Sequence, residues 1–462
     1  MEKAASIDVM VLGAGGGGYP AAFRLAGAGR TVVMVDPFGN LGGDCLAEGC
    51  VPSKAVREAA LVRTWPAKYP LFGLRGETPE VDWRGVLAHK DRVQSLRYAQ
   101  HREEIAASTL TLLKGSGRIV DDHTVEVTTE GGDILRYHAQ HLIIATGSRP
   151  HRLPIPGAEL AVTSHDIFRL GADLPFPRRL VAIGGGYIGL ETASMLQNLG
   201  AEVTVLEATE AILPGVDPAL ASYLHRALAR RLTLVTGAKV TAIAHGANGG
   251  LQVRYESAGE MRDLAADCVL MATGREPVVP EGIAALGLPA GRIGVDDRLR
   301  TALAHVYAPG DVNGRSMLFH SAVCQSVIVA EAILSEGQAP ARMNFASVPF
   351  TVFTEPEVAW VGVTEAQAAQ QGIAVVTSTY DFRTDSRAQI FDEREGFLTL
   401  VFAKRTGSLI GAQVAGLDAA HVIAPLALAV HTGTTASTLS VMAFPHPMVT
   451  EGINKAARAV RL

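Results

Sequence analysis

Nowhere does this chain hold an unbroken apolar run approaching the ~18 residues that a membrane-spanning helix needs, so no membrane span is expected. Charge is sparse as well. Charged residues make up 19% against 48% hydrophobic, which points to large buried surfaces and a subunit interface. The net charge of -5 supplies no basic field, so neither nucleic acid nor an anionic membrane surface is an expected partner. Cysteine is scarce too: four in 462 residues do not make a secreted disulfide framework. No cationic segment with a small-residue cleavage site precedes the first apolar strand, so the expected location is cytoplasmic. In that reducing setting the closely spaced Cys45 and Cys50 call for chemistry rather than stapling.

What the chain does have is an internal repeat. An apolar strand at 7–12 runs into a turn with Gly13, Gly15 and Gly18, then a helix at 19–27 and a strand at 31–35 closed by Asp36. The pattern returns as strand 180–183, a turn with Gly184, Gly186 and Gly189, helix 190–199 and strand 202–206 closed by Glu207. In both copies the acid follows the first glycine by the same 23 residues. One such glycine motif is weak evidence; two copies in matched context are specific. The first glycine makes the tight turn, the second lets backbone approach a pyrophosphate, and the third allows close helix–strand packing. The phosphates then sit on a helix N-terminus, and the carboxylate accepts from ribose hydroxyls.

Each copy also has a later strand, 141–145 leading into Thr146-Gly147 and 268–272 leading into Thr273-Gly274. A further strand at 306–308 runs into Gly310-Asp311 and returns the chain to the first copy. The expected fold is α/β: two Rossmann-like dinucleotide-binding domains, the second inserted in the first, plus a C-terminal α+β domain. The expected boundaries are 1–150, 151–275, 276–342 for the return, and 343–462. In the last part, strand patterns at 397–402 and 410–414 flank a hairpin turn, and helices follow at 419–430 and from about 450.

The most informative stretch is Gly42-Gly43-Asp44-Cys45-Leu46-Ala47-Glu48-Gly49-Cys50-Val51-Pro52-Ser53-Lys54. Pro52 favours the first turn of a helix, so Cys50 would lie at a helix N-terminus, where the dipole stabilises a thiolate. Lys54 would share its face one turn on. A zinc half-site would need a second cysteine pair, and Cys268 and Cys324 do not form one; inert buried thiols are the other bland alternative. Cys268 lies in a buried-strand pattern and Cys324 on an apolar helix, so both look structural.

The two glycine repeats with GGDCLAEGCVPSK resemble the pyridine nucleotide–disulfide oxidoreductases, with the dihydrolipoamide dehydrogenases the nearest branch. The likeness extends over the whole chain, through Gly310-Asp311, Thr354-Glu355-Pro356-Glu357 and Phe444-Pro445-His446-Pro447 to Glu451. It implies FAD on the first domain (Gly13, Gly15, Gly18, Asp36, Gly43, Lys54, Thr146, Gly147, Gly310, Asp311). It implies NAD on the second (Gly184, Gly186, Tyr187, Gly189, Glu207, Gly274), and a homodimer built by the last. By the same resemblance Cys45 exchanges with the substrate disulfide, Cys50 faces the flavin, and Lys54 sits near it, paired with Glu191. His446, oriented by Glu451 and contributed by the partner subunit, is the base that deprotonates a dithiol on a lipoyl-bearing protein.

Taken on their own, several of these residues stay ambiguous. His446 and Glu451 are five apart, which a regular helix would not place on one face, although a turn at Pro447 lets the acid fold back. Alone, a histidine such as His446 is more often an ordinary surface or packing residue, and Tyr187 is equally a packed residue at a helix start. Glu207 favours NAD because it accepts from a free 2′-hydroxyl and repels a 2′-phosphate, and 208–213 hold no Arg or Lys. Asp44, Ala47, Glu48 and Phe444 depart from the lipoamide pattern, and added charge from Asp44 and Glu48 should disfavour a thiolate beside them. A mercuric reductase-like enzyme or another disulfide reductase of the family is the alternative; a non-catalytic flavoprotein subunit would not need Cys45, Cys50, Lys54, His446 and Glu451 together.

Overall fold

The apolar run Val9-Met10-Val11-Leu12 ends β1 (Ala5–Leu12) and is buried on both faces, as a central parallel strand must be. The computed structural model describes residues 4–246, 249–338 and 341–461. Two units are formed: Met1–Arg152, Val162–Phe176 and Gly274–Phe345 in one, and Leu153–Ala161, Pro177–Thr273 and Ala346–Leu462 in the other.

In the first unit, β1 is followed by α1 (Tyr19–Gly27) and β2 (Val32–Asp36), the expected strand, glycine turn, helix and strand. Then come α2 (Gly43–Ala47), α3 (Cys50–Thr64) and the long α4 (Trp83–Ala106). The chain next forms β3 (Thr111–Ile119), β4 (Thr124–Thr129) and β5 (Ile134–Ile144). The start of β3 pairs in parallel with β2, its remainder pairs antiparallel with β4, and the end of β5 returns to lie parallel beside β1. Strand Val306–Tyr307 adds to β5 in parallel. Leu12 faces Val35 on one side and Ile144 on the other. The loops carrying Gly13, Asp36, Thr146 and Asp311 therefore all leave from the carboxyl edge of one parallel sheet, where ligands of open α/β sheets bind.

The second unit repeats that layout. Strands Cys268–Met271, Arg179–Ile183, Glu202–Leu206 and Thr233–Val235 lie side by side in parallel, with helix Tyr187–Asn198 following the glycine turn. A three-stranded antiparallel sheet (Ala238–His245, Leu251–Ser257, Glu260–Ala266) accompanies it. The C-terminal part is a five-stranded antiparallel sheet ordered Phe350–Val352, Val358–Gly362, Leu409–Ala415, Phe397–Ala403 and Val375–Asp381. Phe382, Leu398, Leu400, Phe402 and Val414 from its buried side close a core with Val422, Leu426 and Ile453 of helices Ala419–Thr432 and Glu451–Ala459.

Two differences from the sequence expectation have physical causes. The helix α4 escapes a periodicity search because its buried stripe, Trp83, Leu87, Lys90, Gln94 and His101, carries three polar residues. Cys268 is buried, but Cys324 is exposed, which corrects the packed placement expected for it. Helix Phe319–Leu334 turns Gln325 and Ser326 inward instead: Gly310 N–H donates to Gln325 Oε1 at 2.9 Å and Ala21 N–H to Ser326 Oγ at 2.9 Å. Those bonds leave Cys324 and Val327 on the outer face.

Candidate functional site

The two glycine turns are nearly the same object built twice. Gly13 has φ +103° and Gly184 φ +109°, a backbone only glycine adopts at low cost. A Cβ on Gly13 would stand 2.3 Å from Ala145 O, and one on Gly184 2.3 Å from Ala272 O. A Cβ on Gly18 or Gly189 would meet the carbonyl of its own first glycine at 2.0 Å. At the second glycine the space is open: nothing lies within 4 Å of a Cβ built on Gly186, and only Gly43 Cα, at 3.7 Å, near one on Gly15. α1 and helix Tyr187–Asn198 each begin after a glycine that has no side chain to cap them, with no acid in the first turn. Their leading N–H groups suit a phosphate, so these turns fit the pyrophosphates of two dinucleotides.

The closing acids match as well. Asp36 Oδ2 accepts from Ala14 N at 3.0 Å and Oδ1 from Phe38 N at 2.8 Å. Glu207 Oε2 accepts from Gly185 N at 2.6 Å, and Oε1 from Thr209 N and Thr209 Oγ1, both at 2.8 Å. Both acids are buried. Burial raises the Asp36 carboxyl, opposed by the N–H groups of Ala14, Phe38 and Gly39. Fixed this way, each carboxylate keeps lone pairs for ribose hydroxyls.

The cysteine motif folds as two helices split by Gly49. Cys45 lies within α2, and Cys50 opens the 15-residue α3, at the positive end of its dipole. Lys54 follows on the same continuous helix, one turn along. The Cys45 thiol is pushed up by its hydrogen bond with Cys50, by burial and by the Cys50 charge, while Lys54 pulls it down. The motif packs directly on the first glycine turn: Gly42 N–H donates to Ala14 O at 2.9 Å, and a Cβ on Gly43 would lie 2.8 Å from Gly15 Cα.

Asp44 and Glu48 do not stand as bare added charge. The Arg275 guanidinium, largely buried, binds Asp44, and donates to Ser148 Oγ at 2.7 Å and Ser148 O at 2.9 Å. Ser148 Oγ in turn donates to Asp311 Oδ2 at 2.6 Å. Burial still pushes the Asp44 carboxyl up to about 6, with Arg275 opposing and Glu48, Asp311 and Asp36 adding to the rise. Asp311 is also raised by burial, against Ser148 and Arg275. Glu48 is buried and bonded to His165 Nδ1. Thr146 Oγ1 donates to Val278 O, and Gly147 and Gly310 both have positive φ.

In the second unit Glu191 is buried in helix Tyr187–Asn198 and accepts from Phe353 N at 3.0 Å, while Tyr187 is exposed on the first turn. Gly274, at φ +106°, is where the chain passes to the first unit. Glu451 does fold back to the imidazole: His446 Nδ1 lies 3.0 and 3.1 Å from its two oxygens, and Met448 N–H donates to Oε2 at 3.2 Å. Burial raises the Glu451 carboxyl, but the bonds from His446 and Met448 outweigh it and leave it below its usual range. The His446 side chain is 70% exposed, so its Nε2 is presented outward.

Sequence reasoning missed Arg275, Ser148, His165, Lys90 and Gln94. Arg275 and Ser148 follow the two glycines of the repeated Thr-Gly phrases, a position shared by both copies. Lys90 and Gln94 were detectable only as polar residues on a helix's buried stripe.

Residues 7–326 match the family model for pyridine nucleotide-disulphide oxidoreductases, and residues 348–457 match the dimerisation domain of the same family. Dihydrolipoyl dehydrogenase of Geobacillus stearothermophilus is 35% identical over 99% of this chain and 96% of its own. That of Bacillus subtilis is 35% identical over 97% and 95%. Among solved structures, LpdA from Mycobacterium tuberculosis superposes with a TM-score of 0.88 at 26% identity, covering 98% of this chain and 99% of its own. The HOCl-induced flavoprotein disulfide reductase RclA from Escherichia coli, as a Cu(II) complex, gives 0.84 at 27% identity over the full length of both. No described helix is long and apolar enough to cross a membrane.

Proposed function

The chain belongs to the pyridine nucleotide-disulphide oxidoreductase family, whose members use FAD and NAD, and within it we propose a dihydrolipoamide dehydrogenase acting on a protein-bound lipoyl dithiol. The observation that carries this reading is the carboxylate-held His446, the base a dithiol substrate needs, together with the Cys45–Cys50 pair at the start of α3. FAD, when bound, would supply the two-electron redox chemistry that links the cysteine couple to NAD, which the protein positions but does not itself perform. Gly13, Gly15, Gly18, Asp36, Gly43, Thr146, Gly147, Gly310 and Asp311 would hold it. Gly184, Gly186, Tyr187, Gly189, Glu207 and Gly274 would hold the nicotinamide dinucleotide.

His446 Nε2 removes a proton from one substrate thiol. The resulting thiolate attacks Cys45 of the oxidised pair, forming a mixed disulfide and releasing Cys50 as thiolate. The second substrate thiol closes on the first sulfur as its proton passes to the departing Cys45, and the Cys45–substrate bond breaks. Substrate leaves as a disulfide, and the pair has gained two electrons. The helix dipole and Lys54 stabilise the Cys50 thiolate. Glu451 fixes the imidazole's orientation.

We assign a homodimer, supported by the dimerisation-domain match, with His446 serving the partner's cysteine pair, and a cytoplasmic location. A second reading, reduction of another disulfide, is favoured by Asp44 and Glu48 and by the likeness to the disulfide reductase. Steady-state assay with NAD and dihydrolipoamide, beside NADH with glutathione disulfide and with mercuric ion, separates them. Dihydrolipoamide should win by at least tenfold in kcat/KM; preference for either of the others would replace the assignment.

A further inference from the structure

The peptide between the two cysteines is gripped from behind by two fully buried polar side chains, Gln94 and Lys90. Gln94 of α4 donates its Nε2 to both Leu46 O and Ala47 O, each at 2.9 Å. Those are the last carbonyls of α2, which no further turn of helix could satisfy. Gln94 Oε1 accepts from Lys90 Nζ at 3.0 Å. Lys90 Nζ also donates to Phe168 O at 3.3 Å and Arg169 O at 2.8 Å, and pairs with Asp91. The helix Ser164–Phe168 held by those last bonds carries His165, the partner of Glu48. Further along the same stripe His101 Nδ1 contacts Leu41 O at 3.2 Å. Lys90 and Gln94 are both 0% exposed.

Burying a lysine and an amide is costly unless every polar atom is used, and apolar residues would pack that stripe more simply. Their one evident effect is to fix the Cys45–Cys50 segment through Leu46 and Ala47, and at Glu48 through His165. Spacing the two sulfurs is a matter of that segment's conformation, because disulfide bonding tolerates little departure in Cα and Cβ separation. We propose that Gln94, backed by Lys90, is a positioning residue that holds the cysteine pair at closing distance and so sets the stability of its disulfide. The proposal rests on reading Cys45 and Cys50 as the redox couple.

The test uses the FAD-loaded full-length protein, equilibrated in buffers of reduced and oxidised dithiothreitol, quenched by alkylation and read by mass. Gln94→Met, which removes both donors, should lower the closure constant at least tenfold, moving the couple about 30 mV toward easier reduction. Gln94→Glu keeps the shape and the Lys90 partner but turns a carboxylate oxygen toward the Leu46 and Ala47 carbonyls in place of the donors, so it should shift the same way and decides the matter if the methionine variant does not fold. Lys90→Met should shift less, and Lys90→Arg should restore most of the closure constant. Flavin content and the melting transition monitor the fold separately. A closure constant within twofold of wild type in Gln94→Glu, with flavin retained, would overturn the positioning role. A wild-type protein whose two cysteines never form a disulfide in oxidised dithiothreitol would instead overturn the redox couple and this inference with it.

Discussion

Replacing Glu451 with glutamine isolates the part of the mechanism that the carboxylate supplies. In the native pair, His446 Nδ1 lies at 3.0 and 3.1 Å from two charged oxygens, so the imidazole is held in one orientation. A hydrogen bond to a charged group is worth about 1.5–3 kcal/mol, and the exposure of His446 places this one at the low end. The amide keeps one acceptor but loses the charge. The expected loss in transition-state stabilisation is about 1.5 kcal/mol, or roughly tenfold in kcat/KM for dihydrolipoamide. Glu451→Ala also strands the Met448 N–H and should lose about tenfold more. The assay is steady-state NAD reduction, with stopped-flow reduction of the flavin by NADH as control, since that half-reaction does not use His446. Glu451→Gln turning over dithiol within twofold of wild type would refute the role. So would an NADH half-reaction slowed as much as the dithiol half.

Asp44 gives a pH signature whose sign follows from its raised carboxyl. The folded chain holds that proton to about pH 6 while an unfolded one releases it near 3.8, so wild-type stability should fall relative to Asp44→Asn as pH rises from 4 to 6.5. Denaturant melts of both proteins across that range check it; parallel curves would remove Asp44 as the cause. Gly189→Ala puts a Cβ 2.0 Å from Gly184 O, so the second glycine turn must spread, at about 1–3 kcal/mol. The melting point should drop and KM for NAD rise several-fold, with FAD content unchanged; an unaltered KM would count against the turn as the pyrophosphate seat. Glu207, locked by Gly185 and Thr209, should give NAD at least a hundredfold advantage over NADP in kcat/KM, and parity would contradict its role.

Much of this architecture is legible in the residues because the nucleotide fold writes itself locally. Gly13 and Gly184 are forced because a Cβ there would stand 2.3 Å from the carbonyl of Ala145 or Ala272, and Asp36 and Glu207 by hydrogen bonds to the turn they face. The Cys50 helix start follows from Pro52 in the same way, and the return of Glu451 from the turn at Pro447. Contacts made over long chain separations are a different matter. Nothing near Asp44 predicts Arg275, 231 residues away, or near Glu48 predicts His165. The added charge expected to disfavour a thiolate thus has partners that only the fold supplies. Cys324 failed for a related reason: hydrophobicity placed its helix inward, but Ser326 and Gln325 chose which face went in by bonding Ala21 and Gly310.

An anaerobic reductive titration of the FAD-loaded protein bears most directly on the coupling of the cysteine pair to the flavin. Wild type should take up two more electrons per subunit than Cys50→Ser, with long-wavelength absorption rising only in wild type as the first pair enters. Equal electron uptake by the two proteins would contradict the account.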